Sequence, residues 1–231
     1  IGLIIDPLDG TRYLLDANAG LFELDDGATS ILAIDAFPEA DVPVRSGWTD
    51  LAALGDGRFA LTAQTQGFLL DRNADSLTRH FCYVPGFVED EPTSDQITDS
   101  LTYDPAANLL YAQPQTFEAG SGEVTSAEVG MFDPDGGGDL AWFRLPDEDT
   151  KAGGLAVDAD GDLIAAWNDA LYRVSLDADP QGDTGDAEFE LIGSLQEAGI
   201  SEASGLAFDP QTGHLLILDT GADLLVEYAL D

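Results

Sequence analysis

Fixed positive charge is scarce in this 231-residue chain: Lys151 is its one lysine, and Lys and Arg together number 8. Nucleic-acid binding needs clustered cations that displace counterions from phosphate, and so few cannot build a patch. Binding to an anionic membrane surface is excluded on the same ground. The single Cys82 has no partner for an intramolecular disulfide and rules out a Cys-rich zinc module. No apolar run reaches the ~18 residues that a membrane-spanning helix needs. Histidine is confined to His80 and His214, and Ser76 and Ser204 stand outside any GxSxG context, so nucleophilic catalysis is poorly supported. The chain starts at Ile1 with neither an initiator methionine nor a basic-then-apolar leader. That start reads as an exported mature domain, extracellular, periplasmic or at the cell surface. The alternative is the cytoplasm of a high-salt organism.

What is abundant is acid. Asp and Glu number 45, split as 32 Asp and 13 Glu, for a net charge of −37. Dense carboxylates keep a surface hydrated, and high salt screens their mutual repulsion, so the bulk of the charge reads as a high-salt surface. With 44% hydrophobic residues the chain is nevertheless able to bury a core.

That core is organised by a repeat. Leu3, Leu51, Leu101, Leu155 and Leu206 anchor five copies separated by 48, 50, 54 and 51 residues. Around them stand Gly2-Leu3-Ile4-Ile5-Asp6-Pro7, Ser100-Leu101-Thr102-Tyr103-Asp104-Pro105, Gly154-Leu155-Ala156-Val157-Asp158 and Gly205-Leu206-Ala207-Phe208-Asp209-Pro210. Asp50-Leu51-Ala52-Ala53-Leu54-Gly55 is a degenerate copy. Each copy runs from a short apolar strand through a Gly/Asp/Pro/Asn turn into a second strand, then into strands of alternating character. Four antiparallel strands recurring about every 50 residues predict propeller blades. The expected fold is all-β: one five-bladed β-propeller over 1–231, with four-stranded antiparallel blades near 1–47, 48–97, 98–151, 152–202 and 203–231. The last blade, short after Leu206, either stays three-stranded or takes its outer strand from an upstream segment. Ser194 to Gly199 is long enough for one helical turn.

The stretch from Ser204 to Asp219, SGLAFDPQTGHLLILD, resembles the blade motif of the NHL, SMP-30/gluconolactonase, phytase-like and SdiA-regulated propeller superfamily. The resemblance implies a blade rather than a chemistry, because those families share the motif and differ in activity. They usually have six blades, from which this chain departs, and no catalytic residue carries over.

In a propeller the loops entering the first strand and those joining the second and third strands share one face around the axis. Entry loops here supply Trp48, Thr49, Asp50, Asp99, Ser100, Lys151, Glu202 and Ser204. The second ring supplies Asp16, Asn18, Gln64, Gln66, Gln113, Gln115, Trp167, Asn168, Asp169, Asp219, Thr220 and Asp223. Oxygen-bearing side chains thus point at one mouth, and a hard cation such as Ca²⁺ needs six to eight oxygens. Asp16, Asp50, Asp99, Glu202 and Asp219 are the expected metal ligands. Trp48, Asp50, Asp99, Trp167, Asn168 and Glu202 are expected to meet a ligand: a small molecule, a glycan or a protein at the axial face. The favoured reading is an exported binding or display module. The alternative is a metal-assisted hydrolase of a lactone, phosphoester or glycoside using mouth carboxylates such as Asp50, Asp99 and Glu202. Asp158-Ala159-Asp160-Gly161-Asp162 and Asp133 to Asp139 resemble calcium loops but read as hairpin turns, as does the segment from Asp177 to Asp186. His80 and Cys82, two apart on an outer strand, read as ordinary strand residues.

Overall fold

The computed structural model describes residues 2–6, 8, 10–16, 20–24, 31–35, 49–55, 57–63, 66–74, 76–82, 94–118, 124–136, 139–144, 152–177 and 186–230. For some strand residues, Asp16 and Asp99 among them, only the backbone is described.

Blade 1 comprises β1 (Gly2–Ile5), β2 (Arg12–Asp16), β3 (Gly20–Leu24) and β4 (Ile31–Asp35). Blade 2 comprises β5 (Asp50–Gly55), β6 (Arg58–Ala63), β7 (Gln66–Asp71) and β8 (Ser76–Cys82). Blade 3 is built from β9 (Ser94–Asp104), β10 (Leu109–Glu118), β11 (Val124–Phe132) and β12 (Asp139–Arg144). In blade 4 stand β13 (Ala152–Val157), β14 (Leu163–Trp167), β15 (Ala170–Asp177) and β16 (Asp186–Ser194). Blade 5 has three strands among the described residues, β17 (Ala203–Asp209), β18 (His214–Asp219) and β19 (Leu224–Ala229), and β19 leaves Leu224 and Leu225 exposed.

All strand pairs are antiparallel meanders, and the inner strands touch in the cyclic order β1, β5, β9, β13, β17 and back to β1. The fold is therefore the expected five-bladed propeller. Every residue of β1 and β5 is buried, because an inner strand has a neighbouring blade on each face. Five apolar clusters fill the five wedges between blades. Tyr13 and Leu15 pack on Phe59 and Leu61 between blades 1 and 2, with the Tyr13 and Phe59 rings edge-on at 5.0 Å. Leu3 and Ile5 pack on Ala207 and Leu216 to close the ring. An Arg12–Asp209 ion pair at 3.1 Å reinforces that closure. Each anchor leucine is at most 3% exposed, and burial of such a side chain contributes about 1.5–3 kcal/mol.

The recurring aspartate after each inner strand has a local cause. Asp6 Oδ1 accepts the N–H of Leu8, Asp104 Oδ1 those of Ala106 and Ala107, Asp158 Oδ1 those of Asp160 and Asp162, and Asp209 Oδ1 that of Gln211. These Asx turns fold the chain back into the second strand. Asp133 does the same for Asp135, so the calcium-like runs at Asp133 and Asp158 begin as turns, whereas 178–185 lie outside the described residues. Blade 2, which lacks the aspartate, turns instead on Gly55 and Gly57 at φ 82° and 75°. After β16, Ala198 N–H donates to Ser194 O, the single helical turn expected there.

Candidate functional site

Entry segments and second-to-third-strand turns meet on one face, as Thr49 N–H to Thr62 O (2.9 Å) and Thr220 N–H to Glu202 O (2.9 Å) show. At that end, the residue before each anchor leucine forms a row around the axis: Gly2, Asp50, Ser100, Gly154 and Gly205. Asp50, 5% exposed, accepts the N–H of Leu101 on Oδ2 at 2.7 Å, and Ser100 Oγ accepts that of Leu155 at 2.6 Å. Each side chain thus reaches the inner strand of the next blade. The glycines of the row let the strands approach more closely. A β-carbon on Gly2 would run into Asp50 Oδ1, and one on Gly154 would lie 2.7 Å from Leu206 N.

One strand outward, Thr62 stands opposite Asp50 and Gln113 opposite Ser100. Thr62 Oγ1 accepts the Asp50 N–H at 3.1 Å and lies 2.9 Å from Thr49 Oγ1, so that pair is satisfied internally. Gln113 differs. It is 0% exposed, and neither its Oε1 nor its Nε2 has a hydrogen-bond partner among the described residues.

Asp219 is fully buried and committed to its own blade. It accepts N–H bonds from Ser201 (2.9 Å), Glu202 (3.0 Å), Gly221 (3.0 Å) and Ala222 (3.2 Å) and the Ser201 hydroxyl at 2.9 Å. The Ser201 N–H foremost, with the Ser201 hydroxyl and the Glu202 and Ala222 N–H groups, holds its carboxyl below the usual aspartate range against the opposing effect of burial. Its partner at the entry, Glu202, is exposed.

Trp167 is packed between Tyr172 and Phe189, ring centroids 5.4 and 5.2 Å away, in the wedge facing blade 3. It and Asn168, at φ 51°, also border an open groove of about 640 Å³ on blade 4 with Asp169, Ser194 and Glu197. That groove shares no residue with the axial row. Asp99, expected in a loop, lies inside β9 where the register skips from Ser100–Gln113 to Thr98–Pro114, which makes it a bulge residue. Trp48 and Lys151 lie outside the described residues, as do the side chains of Asp16 and Asp99.

A calcium site would require several carboxylates around one point. Among the described residues no three His, Cys, Asp or Glu side chains form such a group. Asp219 is occupied by five donors, and Asp50 is the one carboxylate in the axial row. The described residues do not fit a calcium cage.

No protein-family model matches the chain, and no curated protein does. Solved structures do match. A luciferin-regenerating enzyme is 12% identical with a TM-score of 0.62, over 99% of this chain and 71% of that one. A candidate gluconolactonase is 15% identical at a TM-score of 0.59, over 100% and 77%. Regucalcin from Agrobacterium tumefaciens, described as calcium-binding, is 19% identical at 0.57, over 99% and 70%. The extracellular domain of a hybrid two-component system from B. thetaiotaomicron is 12% identical at 0.53; it aligns with 94% of this chain, which spans only 25% of that domain's length. At these identities the likeness is one of fold alone, that of a β-propeller, consistent with the resemblance to NHL/SMP-30-like blades.

Proposed function

We propose that this propeller is a binding module whose axial mouth, around Asp50, Ser100 and Gln113, seats a small polar ligand. The observation that carries this reading is Gln113, a primary amide with no exposed surface and no partner for either polar atom among the described residues. Leaving such a group unpaired costs about 1–3 kcal/mol, so a fold that keeps it there gains from a guest that pairs it. Binding is favoured over hydrolysis because Asp219 and Asp50 are already occupied by backbone donors. An extracellular setting accords with the extracellular domain among the structural neighbours.

The test is a thermal-shift and calorimetric titration in 0.5 M NaCl with Ca²⁺ and with neutral mono- and oligosaccharides, on the parent, Gln113→Leu and Asp50→Asn. The saccharides are the probes expected to bind; calcium is included because regucalcin is described as binding it, although the described residues form no calcium cage. Gln113→Leu is expected to stabilise the free protein while removing ligand-induced stabilisation, which at ~100 times the dissociation constant is about 2.7 kcal/mol. Lactone, phosphoester or glycoside turnover lost in Asp50→Asn or Glu202→Gln would replace this reading with the hydrolase. No saturable binding by any probe would remove it.

A further inference from the structure

A second cavity lies at the other end of the axis. It has a volume of about 220 Å³ and takes wall residues from all five blades: Ile4, Ala53, Thr102, Val157 and Ala207. These sit where the inner strands run into their Asx turns. None of the five residues of the axial row lines it, so it is a pit opening on the turn face and distinct from the mouth.

Its chemistry is two-sided. The wall is mostly apolar, with Tyr103 and Phe208 beside the aliphatic side chains and Thr102 its one hydroxyl residue apart from the Tyr103 phenol, and Ile4, Ala53 and Ala207 are all buried. The rim carries Asp104, Asp158 and Asp160, and among the described residues no Lys, Arg or His lines the cavity. Asp104 Oδ1 is spent on the N–H groups of Ala106 (2.8 Å) and Ala107 (3.1 Å). Its Oδ2 lies 3.9 Å from where a β-carbon of Gly161 would stand, across the seam between blades 3 and 4. Asp158 is partly offset by Arg173, whose Nη2 is 3.9 Å from Asp158 Oδ2 and whose other nitrogens pair with Asp162 and Glu190.

We propose that this pit binds a small organic cation, a primary ammonium on a hydrocarbon body of about six to eight carbons. The body packs against the mostly apolar wall and the ammonium donates to Asp104 Oδ2 and the Asp160 carboxylate at the rim. Size agrees: an apolar cavity of ~150 Å³ holds benzene, and this one is larger. Charge agrees as well, because a carboxylate ligand would meet three rim acids with no cation among them, on a chain of net charge −37.

The experiment is a calorimetric titration of the full chain in 0.5 M NaCl with hexylammonium, 1-hexanol and hexanoate. Hexylammonium is expected to bind saturably at one site and hexanoate not at all. Asp104→Asn keeps the Oδ1 acceptor that the turn needs and is expected to weaken hexylammonium about tenfold, the loss of one charge-assisted bond, while leaving hexanol unchanged. Ala207→Leu fills the pit and is expected to abolish binding of both while leaving the surface charge intact. Should Ala207→Leu not fold, intermolecular NOEs from the ligand methylenes to the Ile4 and Ala53 methyls carry the same test on the parent. Hexanoate binding as well as hexylammonium, hexylammonium unaffected by Ala207→Leu, or NOEs confined to other residues would each overturn the proposal.

Discussion

The Ser100 hydroxyl of blade 3 accepts the backbone N–H of Leu155 in blade 4 at 2.6 Å, one step around the ring from the Asp50 carboxylate that takes Leu101 at 2.7 Å. Both acceptors occupy the same position of the repeat. The other three blades place glycine there, and two of these glycines, Gly2 and Gly154, would collide with the next inner strand if they carried a side chain. Neighbouring blades are therefore held in two ways, by a side-chain bond or by direct strand approach.

Asp50→Ala and Ser100→Ala each leave a buried leucine N–H without its partner. Each is expected to lower unfolding stability by about 1–3 kcal/mol, read from denaturant midpoints at constant m-value. Unchanged midpoints in both would show that these bonds do not hold the ring.

Gly154 combines a φ of 141° with a neighbour, Leu206 N, 2.7 Å from the position of a β-carbon. Gly154→Ala is expected to cost about 1–3 kcal/mol from overpacking alone, with backbone strain added. Gly199→Ala, at φ 78° but with nothing within 4 Å, isolates the strain component. Equal losses in the two variants would remove the argument from close approach.

Acid pH should expose the Asp219 staple. Its folded-state carboxyl titrates below the unfolded value of about 3.9, so its contribution is complete above that pH and disappears as pH falls through the folded value. Asp209 follows the same sign: burial pushes its carboxyl up, but the N–H of Gln211 and the Arg12 side chain outweigh this and hold it low. The stability gap between the parent and Asp219→Asn is expected to be full at pH 7 and to close below pH ~4, measured by unfolding in 0.5 M NaCl. A gap that stays constant to pH 3 contradicts the assignment.

Screening acts on the whole molecule. With −37 of net charge, the melting temperature is expected to rise with NaCl as the Debye length shortens from ~30 Å at 0.01 M to ~3 Å at 1 M. It should also rise as pH drops modestly below 7, before the staples titrate. A melting temperature flat in salt would mean that bound cations already pair the acids.

The ring was legible because the anchor leucines sit where an inner strand must be apolar on both faces. The aspartates after them were equally legible as turns, since an Asx turn is a local event. The fate of the mouth carboxylates was not, because whether Asp219 faces a guest or its own Ser201 depends on where the entry segment lies in space. Asp99 reads as an entry-loop residue in the sequence because it stands just before an inner strand; β9 extends through it by pairing along the ten residues of β10. The turn-face pit depends on small residues, Ala53 and Ala207, lining one cavity from different blades, and a one-dimensional pattern registers them merely as apolar. Gln113 was visible as a mouth residue, but its lack of a partner is a property of three dimensions.

The outer side of β19, which pairs with no further strand among the described residues and leaves Leu224 55% and Leu225 41% exposed, gives salt a second consequence, colloidal rather than thermodynamic. A strand edge bearing apolar side chains invites another chain to pair with it, and natural proteins discourage this with charge. Here the long-range repulsion of the whole acidic surface supplies that discouragement, and it weakens over the same salt range that steadies each ring. Solubility and melting temperature therefore pull in opposite directions as salt rises, and the ionic strength at which the protein is best kept as single particles lies below the one at which it is hardest to melt.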